Sequence, residues 1–251
     1  MTKIGIFYFT GTGNTAQVVK ELEKELTGLG LEAKSFNIRD PHPDHNEFDV
    51  VGIAYPVYAW APPWSIVNWA KNRKWRNNQP VFLFQNFAGD PANSIRKALI
   101  VLKKTGVKVF SFGECLMMES WTTVRTKTAL EKMEPWFEEH KNDFGSAGEY
   151  AKKLASEIKE GKFEPAIMPK YRFTWWNAIS PFYSKQMLSI SYRNKLNISK
   201  CTKCGLCAKI CPTNSVKLMP YPIFKYPCAG CFGCVNLCQL TPLTLCSQKA
   251  K

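Results

Sequence analysis

Residues 161–251 contain a single acid, Glu164, against 13 Lys and Arg. Histidine is scarce throughout: the 251 residues hold only His42, His45 and His140. His42 and His45 fall in Pro-His-Pro-Asp-His-Asn, a turn-rich connection that reads as a solvated loop. A metal site there lacks a third ligand. His140 lies in a charged helical stretch and is expected at the surface. There is no nucleophile elbow, no zinc-binding His-Glu-x-x-His helix and no paired-carboxylate constellation. Any catalysis must then be supplied by a bound cofactor, with the protein giving position and electrostatics. No apolar run approaches the roughly 18 residues of a membrane span. Met1-Thr2-Lys3-Ile4-Gly5 enters a strand pattern directly, without a signal-peptide pattern. The expectation is a soluble, cytoplasmic protein.

Cysteine, by contrast, is plentiful and ordered. The spacing C-x2-C-x2-C-x3-C occurs twice, at Cys201, Cys204, Cys207 and Cys211, and again at Cys228, Cys231, Cys234 and Cys238. Pro212 follows the first copy; Gln239 follows the second, where proline is frequent. This is the spacing of a bacterial-type ferredoxin with two [4Fe–4S] clusters. Three close thiolates cap three corners of one cube, and the fourth cysteine of each run ligates the other cube. Cluster I is thus assigned to Cys201, Cys204, Cys207 and Cys238. Cluster II is assigned to Cys228, Cys231, Cys234 and Cys211. A zinc site favours two separated pairs and has no use for a repeated triple-plus-one pattern. A disulfide framework needs an oxidising compartment. Of the two remaining cysteines, Cys115 sits in an apolar run and reads as a small core residue. Cys246 reads as a spare thiol, with alternative ligation as its rival.

The net charge of +14 is unevenly distributed. Residues 1–160 carry 21 Lys and Arg against 19 Asp and Glu, so the excess lies almost wholly in the C-terminal third. Ligation of two oxidised cubanes through eight thiolates offsets about four of those charges. The remaining positive face steers acidic partners. An acidic redox protein is the first expectation, and an anionic membrane surface, touched but not spanned, is the second. Nucleic acid is not expected, because no recognition fold accompanies the charge.

The N-terminal part reads differently. Lys3–Phe9 is a continuous apolar run, as in a buried parallel strand. It leads into Thr10-Gly11-Thr12-Gly13-Asn14-Thr15 and then a helical pattern over Ala16–Leu26. Such a loop presents backbone N–H groups and hydroxyls to a phosphate at the positive end of a helix. It carries no lysine and is not a Walker A sequence, which suits a monophosphate held by neutral donors. Further strands are expected at Glu32–Ile38, Asp49–Tyr55, Val81–Phe87 and within Val107–Met118. Helices are expected at Pro63–Lys71, Ala92–Lys104, Glu131–Lys141 and Ala147–Lys159. Alternation of this kind builds an α/β domain with a parallel sheet covered on both faces.

Thr-Gly-Thr-Gly-Asn-Thr after the first strand resembles the flavodoxin signature T/S-x-T-G-x-T, which wraps the FMN phosphate. The resemblance implies a doubly wound five-stranded sheet in the order 2-1-3-4-5, with the ligand at the switch beside strand 1. It places FMN on residues 10–15 and on the loops after strands 3 and 4. The loop after strand 3 is Pro56-Val57-Tyr58-Ala59-Trp60, where Tyr58 and Trp60 compete to stack on the flavin. The loop after strand 4 contains Asn86-Phe87-Ala88-Gly89 and resembles the family's second flavin loop. Trp121 is a further candidate for the ring.

With both ends considered, the chain resembles flavodoxin–ferredoxin fusion proteins. The expected domains are a flavodoxin-like FMN domain over 1–160, an aromatic and basic connector over 161–197, and a small α+β two-cluster ferredoxin domain over 198–251. The connector is too apolar for a flexible linker and is expected to pack on the first domain. The expected function is electron relay between FMN, two clusters and an external partner. Two rivals stand beside it. One is a flavin-dependent reductase of a small molecule, fed by the clusters. The other is a redox-responsive docking module whose flavodoxin-like domain is empty.

Overall fold

The structure is a computed structural model that describes residues 1–117, 144–173, 194–196, 198–225, 228–238 and 243–245. The expected helix at Glu131–Lys141, together with Trp121, His140, Gln239 and Cys246, lies outside the described residues. The chain divides into two compact units. Among the described residues the first takes 1–117 and 144–173, and the second takes 194 onward.

The first unit is a five-stranded parallel sheet in the order β2-β1-β3-β4-β5. Its strands are β1 (Lys3–Tyr8), β2 (Glu32–Asn37), β3 (Val50–Pro56), β4 (Pro80–Phe87) and β5 (Lys108–Leu116). The helices are α1 (Asn14–Gly28), α2 (Trp64–Lys71), α3 (Ser94–Lys103) and α4 (Gly145–Lys159). This is the flavodoxin-like order. Its two faces follow from strand alternation. Ile4 and Ile6 point to the side covered by Val18, Leu22 and Leu26 of α1 and by Tyr150, Leu154 and Ile158 of α4. Phe7 and Phe9 point to the side covered by Ile66 and Trp69 of α2 and by Ile95, Leu99 and Leu102 of α3. Every residue of β3 is buried, as expected for a central strand covered on both faces. Gly113 shows how close α4 lies. A Cβ there would stand 2.5 Å from the Tyr150 ring, so only glycine admits that ring.

The region of His42 and His45 departs from the solvated loop expected of it. His45 is 3 % exposed, and its ring meets Trp75 edge-on at 4.3 Å. His42 lies against Phe7 and accepts a hydrogen bond at Nε2 from Trp69 Nε1 at 3.3 Å. The turn signals were real: Asp44 caps the short 3-10 turn His45–Glu47 through a capping box. The aromatic lid that buries the turn comes from Trp69 and Trp75, distant in sequence. Cys115, by contrast, is the core residue expected, at 3 % exposed.

The second unit is small. Strand β6 (Asn194–Leu196) pairs antiparallel with β9 (Leu243–Leu245), and β7 (Val216–Leu218) with β8 (Pro222–Phe224). Two short helices, α5 (Leu206–Lys209) and α6 (Gly233–Asn236), complete it. No helix among the described residues is long and apolar enough to cross a membrane.

Candidate functional site

Three loops meet at the C-terminal edge of the sheet, where the strand order reverses, and Asn86 joins them. Its side chain Oδ1 accepts from the Thr15 hydroxyl at 2.7 Å. Its backbone carbonyl accepts from Val57 N at 2.8 Å. Asn86 is itself near the end of β4 and is 4 % exposed. The loops after β1, β3 and β4 are therefore tied through one buried amide.

The first loop is built to open a helix. Gly13 is the N-cap of α1 at φ +107°, a conformation that suits glycine. Its N–H is held by Thr10 Oγ1 at 3.0 Å, which leaves the Thr10 proton for a further acceptor. The first turn of α1 contains no acid, so nothing there offsets the positive end of the helix. Thr15 faces inward to Asn86, so its hydroxyl supports the loop from beneath. Gly11, Thr12 and Asn14 lie along the same loop.

The second loop is a tight turn. Tyr58 and Ala61 exchange backbone hydrogen bonds at 3.0 and 3.1 Å. Between them Ala59 and Trp60 are both left-handed, at φ 46° and 60°. Two successive non-glycine residues in that region store strain of the kind found at functional sites. Lys97 of α3 braces the turn, donating from Nζ to the Trp60 carbonyl at 3.0 Å. Burial pushes the Lys97 amine below the usual lysine range. Tyr58 packs edge-on against Phe9 at 6.3 Å, while Trp60 stands at the tip of the turn. The sequence left these two aromatics undecided; the packing commits Tyr58 to the core side.

The third loop runs from Phe87 through Ala88 and Gly89 to Asn93. Gly89 has φ 154° and Ala92 is left-handed at 48°. Asp90 Oδ1 accepts from Ala92 N at 2.8 Å, closing the turn.

In the second unit the two cysteine runs adopt one backbone design. Lys203 and Gly205 of the first run have φ 59° and 78°. Gly230 and Phe232, at the matching places of the second, have φ 65° and 54°. Each run then enters a four-residue helix, α5 or α6. Left-handed residues thus flank the second cysteine of each run. Backbone amides point at sulfur: Ser215 N donates to Cys211 Sγ at 3.2 Å, and Gly230 N to Cys228 Sγ at 3.4 Å. Burial pushes the Cys207, Cys228 and Cys234 thiols up. The thiols that add to it at Cys207 are Cys204 and Cys201. At Cys234 they are Cys231, Cys228, Cys211 and Cys207, and at Cys228 the neighbour is Cys211. Cys211 and Cys207 of the first run thus both act electrostatically on Cys234 of the second. Among the described residues no three side chains converge on a single-ion site. A cubane presents its iron at separate corners, so its ligands need not converge on one point.

A family model described as "4Fe-4S binding domain" matches residues 195–217, which contain the whole first cysteine run. One chain thus combines a sheet in the flavodoxin-like strand order with a 4Fe–4S binding domain. Similar solved structures include the FMN-bound flavodoxin of Fusobacterium nucleatum: 19 % identity over 64 % of this chain and 99 % of that one, with TM-score 0.41. A flavodoxin from the domain Archaea shares 10 % identity over 62 % of this chain and 99 % of its own, with TM-score 0.42. Rubredoxin oxygen:oxidoreductase of Desulfovibrio gigas is 15 % identical over 63 % of this chain and 37 % of its own, with TM-score 0.39. No curated protein matches the chain. These similarities are loose, and the fold assignment rests on the strand order itself.

The Cys228–Cys238 run lies outside the matched residues, and its likeness to the first run is carried by the paired backbone angles. Two features of the first unit had no signal in the sequence. The left-handed Ala59–Trp60 turn contains no glycine to announce it, and Lys97 looks like any helical surface lysine.

Proposed function

We propose that this fusion relays electrons between FMN, two [4Fe–4S] clusters and an external acidic redox protein. The observation that carries the reading is the convergence on Asn86 of three loops at the switch point, in a chain with a 4Fe–4S binding domain. When bound, FMN exchanges one or two electrons and each cubane exchanges one, so the pair couples two-electron to one-electron carriers.

The chain's own residues fit these roles. Backbone groups of 11–15 and the Thr10 hydroxyl hold the phosphate at the start of α1. Trp60, on its braced turn, and residues 86–89 would contact the flavin ring. The thiols Cys201, Cys204, Cys207 and Cys238 hold one cluster, and Cys228, Cys231, Cys234 and Cys211 the other. Amides aimed at Cys211 and Cys228 stabilise the more negative reduced state. Lys200, Lys203, Lys209, Lys217 and Lys225 are all exposed, and no acid lies between residues 198 and 238. That surface suits an acidic partner, which binds faster at low salt.

Stopped-flow reduction of the loaded chain by a one-electron donor tests the relay. The account predicts that flavin and cluster bands settle with a rate independent of protein concentration, as for transfer within one chain. A rate proportional to concentration would mean that the centres communicate only between molecules.

A further inference from the structure

The segment after α4 carries apolar side chains that it does not bury. Ile167 is 90 % exposed, Phe173 77 % and Tyr171 56 %. Phe163 anchors the start of the segment on Phe110, their ring centroids 5.0 Å apart, but beyond it hydrophobic burial does not hold the segment in place. What holds it is a set of polar contacts, and most of them end on one loop. Asn93 Nδ2 donates to the Arg172 carbonyl at 2.9 Å, and Arg172 N donates back to Asn93 Oδ1 at 3.0 Å. The Arg172 guanidinium meets both Asp90 oxygens, at 3.1 and 3.4 Å. Arg96 Nη1 donates to the Pro169 carbonyl at 2.9 Å and lies over the Tyr171 ring. Further back, Ala166 N donates to Val109 O of the edge strand β5 at 2.8 Å.

Asn93 makes this more than a surface contact. It is the N-cap of α3, a place where asparagine ordinarily accepts from its own helix. Here the side chain makes no such bond. It is 4 % exposed and pairs with both backbone groups of Arg172. The loop it belongs to contains the left-handed Ala92, a conformation that persists only where surrounding structure imposes it. Asp90, which closes the turn at Ala92, is the residue that the Arg172 guanidinium grips. The Arg172–Asp90 pair is exposed and contributes little by itself. The weight falls on the two bonds of the Asn93 side chain, which is itself buried.

We propose that residues 169–172 act as a clasp that sets the loop between β4 and α3, so that order in this connector and FMN binding are coupled. The inference rests on the flavin reading above. It adds a positioning role to a segment outside the sheet and its helices, one that continues along the chain toward the cluster-bearing unit. Coupling of this kind is reciprocal: what the connector does for FMN affinity, FMN does for the connector.

The test uses the full chain loaded with clusters, with FMN as the probe. In the wild type, adding FMN slows hydrogen exchange in peptides spanning 164–173, and FMN affinity is read from fluorescence quenching. Arg172→Pro removes the donated N–H and the guanidinium without touching the loop. It weakens FMN about tenfold, within the usual range of such couplings, and abolishes the added protection. Asn93→Ala does the same from the loop side. Arg172→Ala keeps both backbone bonds and stays within about threefold of wild type, as expected when only an exposed ion pair is lost. Two results overturn the clasp: a folded Arg172→Pro chain with wild-type FMN affinity, or exchange in 164–173 that ignores FMN. A wild type that takes up no FMN removes the flavin reading itself, and the clasp with it.

Discussion

The Thr15 hydroxyl donates to Asn86 Oδ1 at 2.7 Å, across 71 positions of sequence and inside the protein. One bond thereby fixes the start of α1 to the end of β4, and Asn86 carries the fix on to Val57. Thr15→Val removes the donor and strands a buried carbonyl. The expected loss is about 1–3 kcal/mol of stability, with weaker FMN binding as the loop loosens. The double variant Thr15→Val/Asn86→Leu is expected to lose less than the sum of the two single variants. Chemical denaturation of the four chains measures this.

Trp60 and Tyr58 make opposite predictions. Trp60→Leu is expected to reduce FMN affinity about tenfold or more while leaving stability nearly unchanged, since stacked aromatics contribute about 0.5–1.5 kcal/mol beyond their contact area. Tyr58→Leu disturbs packing on Phe9 and is expected to lower stability first. Lys97→Met releases the Trp60 carbonyl and is expected to weaken FMN without removing any ring. Paired FMN titrations and thermal melts separate the three outcomes.

His45 gives a pH signature. Burial lowers its pKa below the ordinary 6.5; Arg73 and His42 add to this, while Asp44 and the Lys74 backbone oppose it. The unfolded chain then takes a proton before the folded one does. Stability from the neutral ring is fully present above about pH 6.5 and is lost as pH falls from there toward the folded value. The urea midpoint is expected to fall between about pH 7.5 and about pH 5.5, and His45→Gln is expected to flatten that fall.

The lysines near the cysteine runs are expected to raise the potential of a cluster held there. Lys203 lies 4.6 Å from the centroid of the Tyr221 ring, fixed near Cys201 and Cys204 in the chain. A charge roughly 8 Å from a cluster in a water-like dielectric contributes about 0.5 kcal/mol, on the order of 20 mV for one electron. Lys203→Gln with Lys209→Gln is expected to lower a midpoint potential by that order per charge. Unchanged potentials in a redox titration would contradict it.

Much of this architecture is legible in the sequence because it repeats simple periods. The apolar runs at Lys3–Phe9 and Val81–Phe87 place β1 and β4 within a residue of where they lie, since buried parallel strands need both faces apolar. The cysteine runs are legible because they repeat one spacing, and the first falls in the 4Fe–4S binding domain. Less legible are contacts made by ordinary residues far apart in sequence. His45 looks like a loop residue until Trp75 covers it. Asn93 looks like a helix cap until Arg172, 79 positions on, takes its side chain. The Ala59–Trp60 turn hides because neither residue advertises a left-handed backbone.

The most direct test of the account is cofactor content. Anaerobic purification followed by iron, acid-labile sulfide and flavin analysis is predicted to give about eight irons, eight sulfides and one FMN per chain. Full iron with no flavin, even after FMN is added, would contradict the relay and leave the first unit a docking module. About four irons would contradict the second cluster.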